Sequence, residues 1–202
     1  MRKRRFFNTT GPCNPEDHYM LPPADRLVGA QLNRYINNKL YWVLHAPRQT
    51  GKTTFMQSWA REINAAGEAV ACYVSVEDCQ NVAEREKAMF TIYKDICDFA
   101  QFAKLPIPSV AERNAEGLLR STLANWSQLV APKPLIVLFD EVDVLINETM
   151  VSFLRQLRGG FAERGVGKFP ISIALVGMRD LKDYLIKAKD GQPINPGSPF
   201  NI

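Results

Sequence analysis

Four runs of apolar residues, 40–44, 69–75, 134–139 and 171–177, are spaced too far apart along the chain for hairpins. The run 134–139 is unbroken rather than alternating, as in a parallel strand covered on both faces. Between the runs the apolar period lengthens. Met89, Ile92, Tyr93, Ile96, Phe99 and Ala100 fall at helical spacing, as do Leu119, Leu123, Trp126 and Val130. After the third run, Met150, Phe153, Leu154, Leu157 and Phe161 form the inward stripe of a helix with Asn147 or Thr149 as its cap. Arg155, Arg158 and Arg164 read as the solvated cationic face of that helix. Helices are also predicted over 53–66, with Gly67 as terminator, and over 25–37. Strands that alternate with helices give an α/β domain with a parallel sheet and right-handed crossovers. Residues 1–26 read as an extended lead-in, 27–189 as the core, and 190–202 as a Pro/Gly-rich tail.

Chemistry gathers at the ends of two strands. The first run leads into Ala46-Pro47-Arg48-Gln49-Thr50-Gly51-Lys52-Thr53-Thr54 and then a helix, the context of a phosphate-binding P-loop. A loop of this kind points backbone N–H groups at a phosphate, and the following helix adds its positive end. Pro47, Arg48, Gln49, Thr50, Gly51, Lys52, Thr53 and Thr54 are the candidate nucleotide-binding residues. Lys52 supplies charge to the terminal phosphates, and the Thr53 hydroxyl is a Mg²⁺ ligand. Ala46 stands where the motif usually has its first Gly, a residue that tolerates positive φ where Ala does not. The third run ends in Asp140-Glu141, and open α/β sheets bind ligands at the carboxyl ends of their strands. Asp140 is therefore the second metal candidate, directly or through water, and Glu141 the base that orients and deprotonates an attacking water. A short motif has a bland reading as a turn, but two in the correct order point to a nucleotide site.

Composition narrows the picture. A chain of 202 residues, 46% hydrophobic, buries one sizeable core. No run approaches the ~18 apolar residues of a membrane span, and the basic N-terminus lacks the apolar stretch of a signal peptide. Cys13, Cys72, Cys79 and Cys97 form no C-x-x-C pair, so they read as reduced thiols in a soluble, cytoplasmic protein. Arg2, Lys3, Arg4 and Arg5 account for the net charge of +4. Such a tetrad contacts phosphate or a membrane surface in some proteins and is a plain solvated tail in more.

With these motifs in hand, the chain resembles the AAA-like ATPases of prokaryotes, relatives of the AAA+ and STAND nucleotide switches. The likeness rests on residues 6–12 with Pro22-Pro23-Ala24-Asp25-Arg26, on the loop from Pro47 to Thr53, on Asp140-Glu141-Val142-Asp143, and on the tail Ser198-Pro199-Phe200-Asn201-Ile202. It implies a three-layer P-loop NTPase fold with strand order 5-1-4-3-2. The fifth strand and a helical lid follow the tail in similar proteins, so the chain is expected to be a core without its lid. The resemblance also implies ATP and Mg²⁺ as cofactors, and Arg179, just past the fourth strand, as a catalytic sensor of the terminal phosphate. Tyr19 or Arg26 is the implied contact to adenine, with a surface-packed arm as the alternative.

The leading reading is a Mg²⁺-dependent ATPase that works as a switch or motor core, with a homo-oligomer or an effector protein as partner. Three others stay open: a nucleic-acid-associated ATPase such as a loader or transposition helper, a P-loop kinase of a small molecule, and a module that holds nucleotide without turnover. Glu141 separates the first from the kinase, because hydrolysis needs a group that positions water and a kinase must exclude it.

Overall fold

The structure, a computed structural model, describes residues 4–20, 29–110 and 114–178. Within them the predicted alternation appears: α1 (Gly29–Asn37), β1 (Tyr41–His45), α2 (Lys52–Ala66), β2 (Val70–Ser75), α3 (Arg85–Phe102), α4 (Leu118–Leu129), β3 (Leu135–Asp140), α5 (Asn147–Phe161) and β4 (Ser172–Gly177). Short 3₁₀ turns follow β2 (Glu77–Cys79) and β3 (Val142–Val144). The strands form one parallel sheet in the order β1-β4-β3-β2. This is the order inferred for the first four strands. Nothing among the described residues pairs with the outer edge of β1, where the fifth strand of the inferred order belongs. The tail 190–202, Arg26 and Arg179 lie outside the described residues.

The unbroken runs are explained by two cores, one on each face of the sheet. Side chains alternate along a strand, so Leu135, Val137, Phe139, Ile173 and Leu175 point one way, into the apolar stripes of α3, α4 and α5. Ile136, Leu138, Ala174 and Val176 point the other way, onto Leu32 of α1 and Phe55, Met56, Trp59 and Ala60 of α2. Every residue of β3 and β4 is buried, which makes these the central strands of a three-layer α/β/α sandwich. At the opposite edge, Asn64 of α2 caps the sheet. Its amide donates to the Ala71 carbonyl (2.9 Å) and accepts from the Ala71 N–H (2.8 Å), so part of the edge backbone is satisfied.

Local expectations needed correction in three places. Neither Asn147 nor Thr149 caps α5. Ile146 holds that position without a side-chain bond, Asn147 takes a positive φ of 48°, and the Thr149 hydroxyl is buried without a partner. Arg164 lies beyond the end of α5, not on it. Its guanidinium stacks 3.8 Å from the centre of the Phe161 ring, and it donates to the carbonyls of Lys39 and Phe161. The lead-in is not extended throughout, because Phe6 N–H donates to Asp17 C=O and Tyr19 N–H to Phe6 C=O, closing a loop.

Gly160 sits on the buried side of α5 against the buried ring of Phe169. A Cβ there would lie 2.2 Å from the ring. Helix propensity favours Gly160→Ala by about 1 kcal/mol, whereas overpacking a core costs about 1–3 kcal/mol. Because so short an approach belongs at the upper end of that range, the urea midpoint of Gly160→Ala is expected to fall. A rise would show that Phe169 has room to move.

Candidate functional site

The loop after β1 begins against β4, where Ala46 N–H donates to Gly177 C=O at 3.2 Å. Its positive-φ positions are Gln49 (59°) and Gly51 (86°). Ala46 is not one of them, so replacing the usual Gly there causes no backbone strain. Gln49 is strained, as non-Gly residues in the left-handed region are, and such positions cluster at ligand sites. The loop curls around its own lysine. The Lys52 ammonium donates to Ala46 C=O (2.6 Å) and Pro47 C=O (2.9 Å), and the Thr50 hydroxyl to Pro47 C=O (2.9 Å). An entering phosphate competes with those carbonyls for the charge. The first bond of α2 runs from Phe55 N–H to Gly51 C=O (2.9 Å). The N–H groups of Lys52, Thr53 and Thr54 come before it, and these are the donors that a helix start leaves for a ligand.

Asp140 closes the opposite side. It is 1% exposed, at the C-terminal end of β3. Its Oδ2 accepts from the Thr53 hydroxyl (2.7 Å) and the Tyr73 hydroxyl (2.9 Å), and its Oδ1 from the Glu141 N–H (2.9 Å). Glu141 itself is left-handed (φ 58°, ψ 33°), a strained conformation for a side-chain-bearing residue. Half-buried, its carboxyl is raised above the ordinary glutamate value, first by burial and then by the charges of Asp140 and Glu77. Lys52 pulls it down and Asp143 adds to the rise. Asp143 fastens this turn to the neighbouring strand by accepting from Met178 N–H. The same carboxylate packs on Gly177, where a Cβ would lie 2.6 Å from its oxygen. A side chain at position 177 would have to displace the Asp143 carboxylate.

Thr53 and Asp140 fit magnesium in kind, since both are hard oxygen donors. Among the described residues no group of three or more His, Cys, Asp and Glu side chains is placed to hold a metal. Magnesium does not need one, because it takes one or two protein ligands and completes its shell with phosphate and water.

The remaining candidates are placed as follows. Pro47, Arg48, Gln49, Thr50 and Gly51 are exposed along the loop, and Arg48 Nε lies 3.2 Å from Met178 Sδ. The Thr54 hydroxyl accepts from Cys13 N–H (3.0 Å), so the lead-in docks at the base of the loop. Tyr19 is exposed and its ring meets that of Phe7 at 5.1 Å. Arg179 follows Met178 but is outside the described residues. Sequence reasoning missed Tyr73, Asp143 and Glu77. Asp143 was visible as part of an acidic turn, whereas Tyr73 and Glu77 needed the register of β2 against β3. No described helix is long and apolar enough to cross a membrane.

No protein-family model and no curated protein matches the sequence. Solved structures do. The chain superposes on Cdc6p from Pyrobaculum aerophilum at a TM-score of 0.53 and 20% identity, over 80% of this chain and 40% of that one. A Walker-type ATPase of Pyrococcus abyssi matches at 0.56 and 18%, over 91% and 53%. A structure of Drosophila ORC bound to DNA and Cdc6 matches at 0.51 and 14%, over 89% and 28%. The chain spans about half the length of these proteins or less. At such identities the likeness is one of fold, a three-layer P-loop NTPase fold with a parallel sheet.

Proposed function

We propose that this chain binds ATP with Mg²⁺ and hydrolyses it, as the nucleotide-responsive core of a switch or motor. The observation that carries this reading is the 2.7 Å hydrogen bond from Thr53 to Asp140, which brings the loop and the acidic strand end into one site with Glu141 beside them. The loop N–H groups and Lys52 hold the phosphates. Thr53 and Asp140 would hold magnesium, which would supply positive charge against the phosphates. Glu141 accepts a proton from a water whose oxygen attacks the terminal phosphorus, and ADP leaves with the electrons of the broken P–O bond. Arg179 is proposed to sense the terminal phosphate, and ATP binding and ADP release are proposed to change how the core engages a second copy or an effector protein. Phosphate release from the purified protein with ATP and with GTP tests the reading. Absence of both binding and release with either nucleotide would sink it.

A second reading, an ATPase associated with nucleic acid, is supported by two observations. Similar folds include an ORC complex with DNA, and Arg4 and Arg5 are exposed on the lead-in that docks at Thr54. If all four residues of the basic tetrad contact phosphates, affinity for duplex DNA should fall about 10²-fold between 50 and 200 mM salt. Filter binding at the two concentrations checks this, and no retention at the lower one rejects it.

A further inference from the structure

We propose that Tyr73, backed by Gln57, positions the Asp140 carboxylate for magnesium. This rests on the reading of the site as a MgATP site, but not on any assignment of the catalytic base. Tyr73 lies opposite Leu138 in the β2–β3 ladder, so Asp140 is two residues further along on the same face. That diagonal is within reach of a tyrosine, and the hydroxyl donates to Oδ2 at 2.9 Å.

Asp140 is buried and, among the described residues, no ion pair reaches it. Its charge is held instead by three donors: the Thr53 hydroxyl, the Tyr73 hydroxyl and the Glu141 N–H. Two of these belong to groups with other work. Thr53 would also turn a lone pair to the metal, and Glu141 lies on the strained turn. Tyr73 is the donor that stays in place, because a ring on a strand has only two side-chain torsions and the sheet holds its backbone. Gln57, one turn beyond Thr53 on α2, lies near the same hydroxyl. Two hydroxyls, one from α2 and one from β2, thus hold the same carboxylate oxygen at the end of β3.

Partners of this kind, which orient a metal-binding group, typically change metal affinity by about 10–100-fold when removed. The experiment measures ATP binding by calorimetry in EDTA and across a MgCl₂ titration, with the binding of Mn²⁺ in the presence of ADP followed by electron paramagnetic resonance. Tyr73→Phe is expected to raise the Mg²⁺ half-saturation and the Mn²⁺ dissociation constant by about 10-fold or more, with ATP affinity in EDTA unchanged. Gln57→Leu is expected to move both in the same direction by less. Metal dependence equal to wild type in Tyr73→Phe overturns the inference while leaving the MgATP reading intact. Equal weakening with and without metal also overturns it, since that marks a merely structural role. A wild type that binds ATP no better with Mg²⁺ than in EDTA overturns the reading itself. Should Tyr73→Phe fail to fold, Gln57→Leu decides, and an unchanged half-saturation there rejects the proposal.

Discussion

Lys52→Ala is expected to abolish the stabilisation that MgATP gives this protein while leaving the unfolding of the free protein nearly unchanged. The ammonium is half-buried inside the curl of the loop, whereas Arg48, the loop's other cation, is exposed. Two unit charges 4 Å apart near a protein surface interact by about 4 kcal/mol, which is about three orders of magnitude in dissociation constant. At 100 times its dissociation constant, MgATP stabilises the wild type by about 2.7 kcal/mol. The same concentration is then only about a tenth of the variant's dissociation constant, and the shift disappears. The free fold should survive. Position 52 opens α2, where alanine is the best helix former. The lost bonds run to carbonyls of an exposed loop that water can satisfy. Paired thermal melts with and without MgATP measure both effects. A shift in Lys52→Ala as large as in the wild type would place phosphate binding elsewhere.

The sheet was legible because burial on both faces leaves an unbroken apolar run, and β3 and β4 are buried along their whole length. The strand order came from resemblance, not periodicity, since no local pattern says that β4 inserts between β1 and β3. Local polar detail was harder to read. Asn147 and Thr149 are good cap residues by type, yet tertiary packing buries the threonine and places Ile146 at the cap. Arg164 reads as part of the same helix as Arg155 and Arg158, but α5 ends at Phe161, onto whose ring the guanidinium stacks.

The two halves of the site were legible for a different reason. A loop that surrounds phosphate needs a contiguous set of residues, and the strand-end carboxylates follow directly on an apolar run. What joins the halves is not contiguous. Thr53 and Asp140 are 87 positions apart, and Tyr73 reaches Asp140 across 67. Tyr73 in isolation is an ordinary strand aromatic. Only the pairing of Ser75 with Asp140 makes it the neighbour of the metal-side carboxylate. Ala46 illustrates the converse. The motif flags it as a departure, and the backbone shows that a positive φ is not required there.

Glu141→Gln should retain ATP affinity and lose turnover by about 10²–10⁴-fold, the usual loss when general-base help is removed. The amide keeps the size of the carboxylate and the left-handed turn, and it leaves Asp140 to accept the backbone N–H of residue 141 as before. Only the ability to take a proton goes. The electrostatics make a second, independent demand. Burial, helped by Asp140, Glu77 and Asp143, raises the Glu141 carboxyl in the folded state. A carboxyl raised in this way favours the fold below its unfolded pKa, and that contribution is lost as pH rises through the folded pKa. Near neutral pH the wild type therefore carries a destabilising charge that the glutamine lacks. Glu141→Gln is expected to melt no lower than wild type at pH 7, and usefully higher if burial dominates. The gap should close as pH falls below the ordinary glutamate range, where both side chains are neutral. Turnover of the wild type should show the mirror image, with an acid limb displaced above that range because the base works only when ionised. Steady-state phosphate release and thermal melts from pH 4 to 8 read all three. A variant that hydrolyses ATP at the wild-type rate would remove Glu141 as the base. A variant that melts lower at pH 7 would show that the ionised carboxylate is held by a partner rather than merely buried.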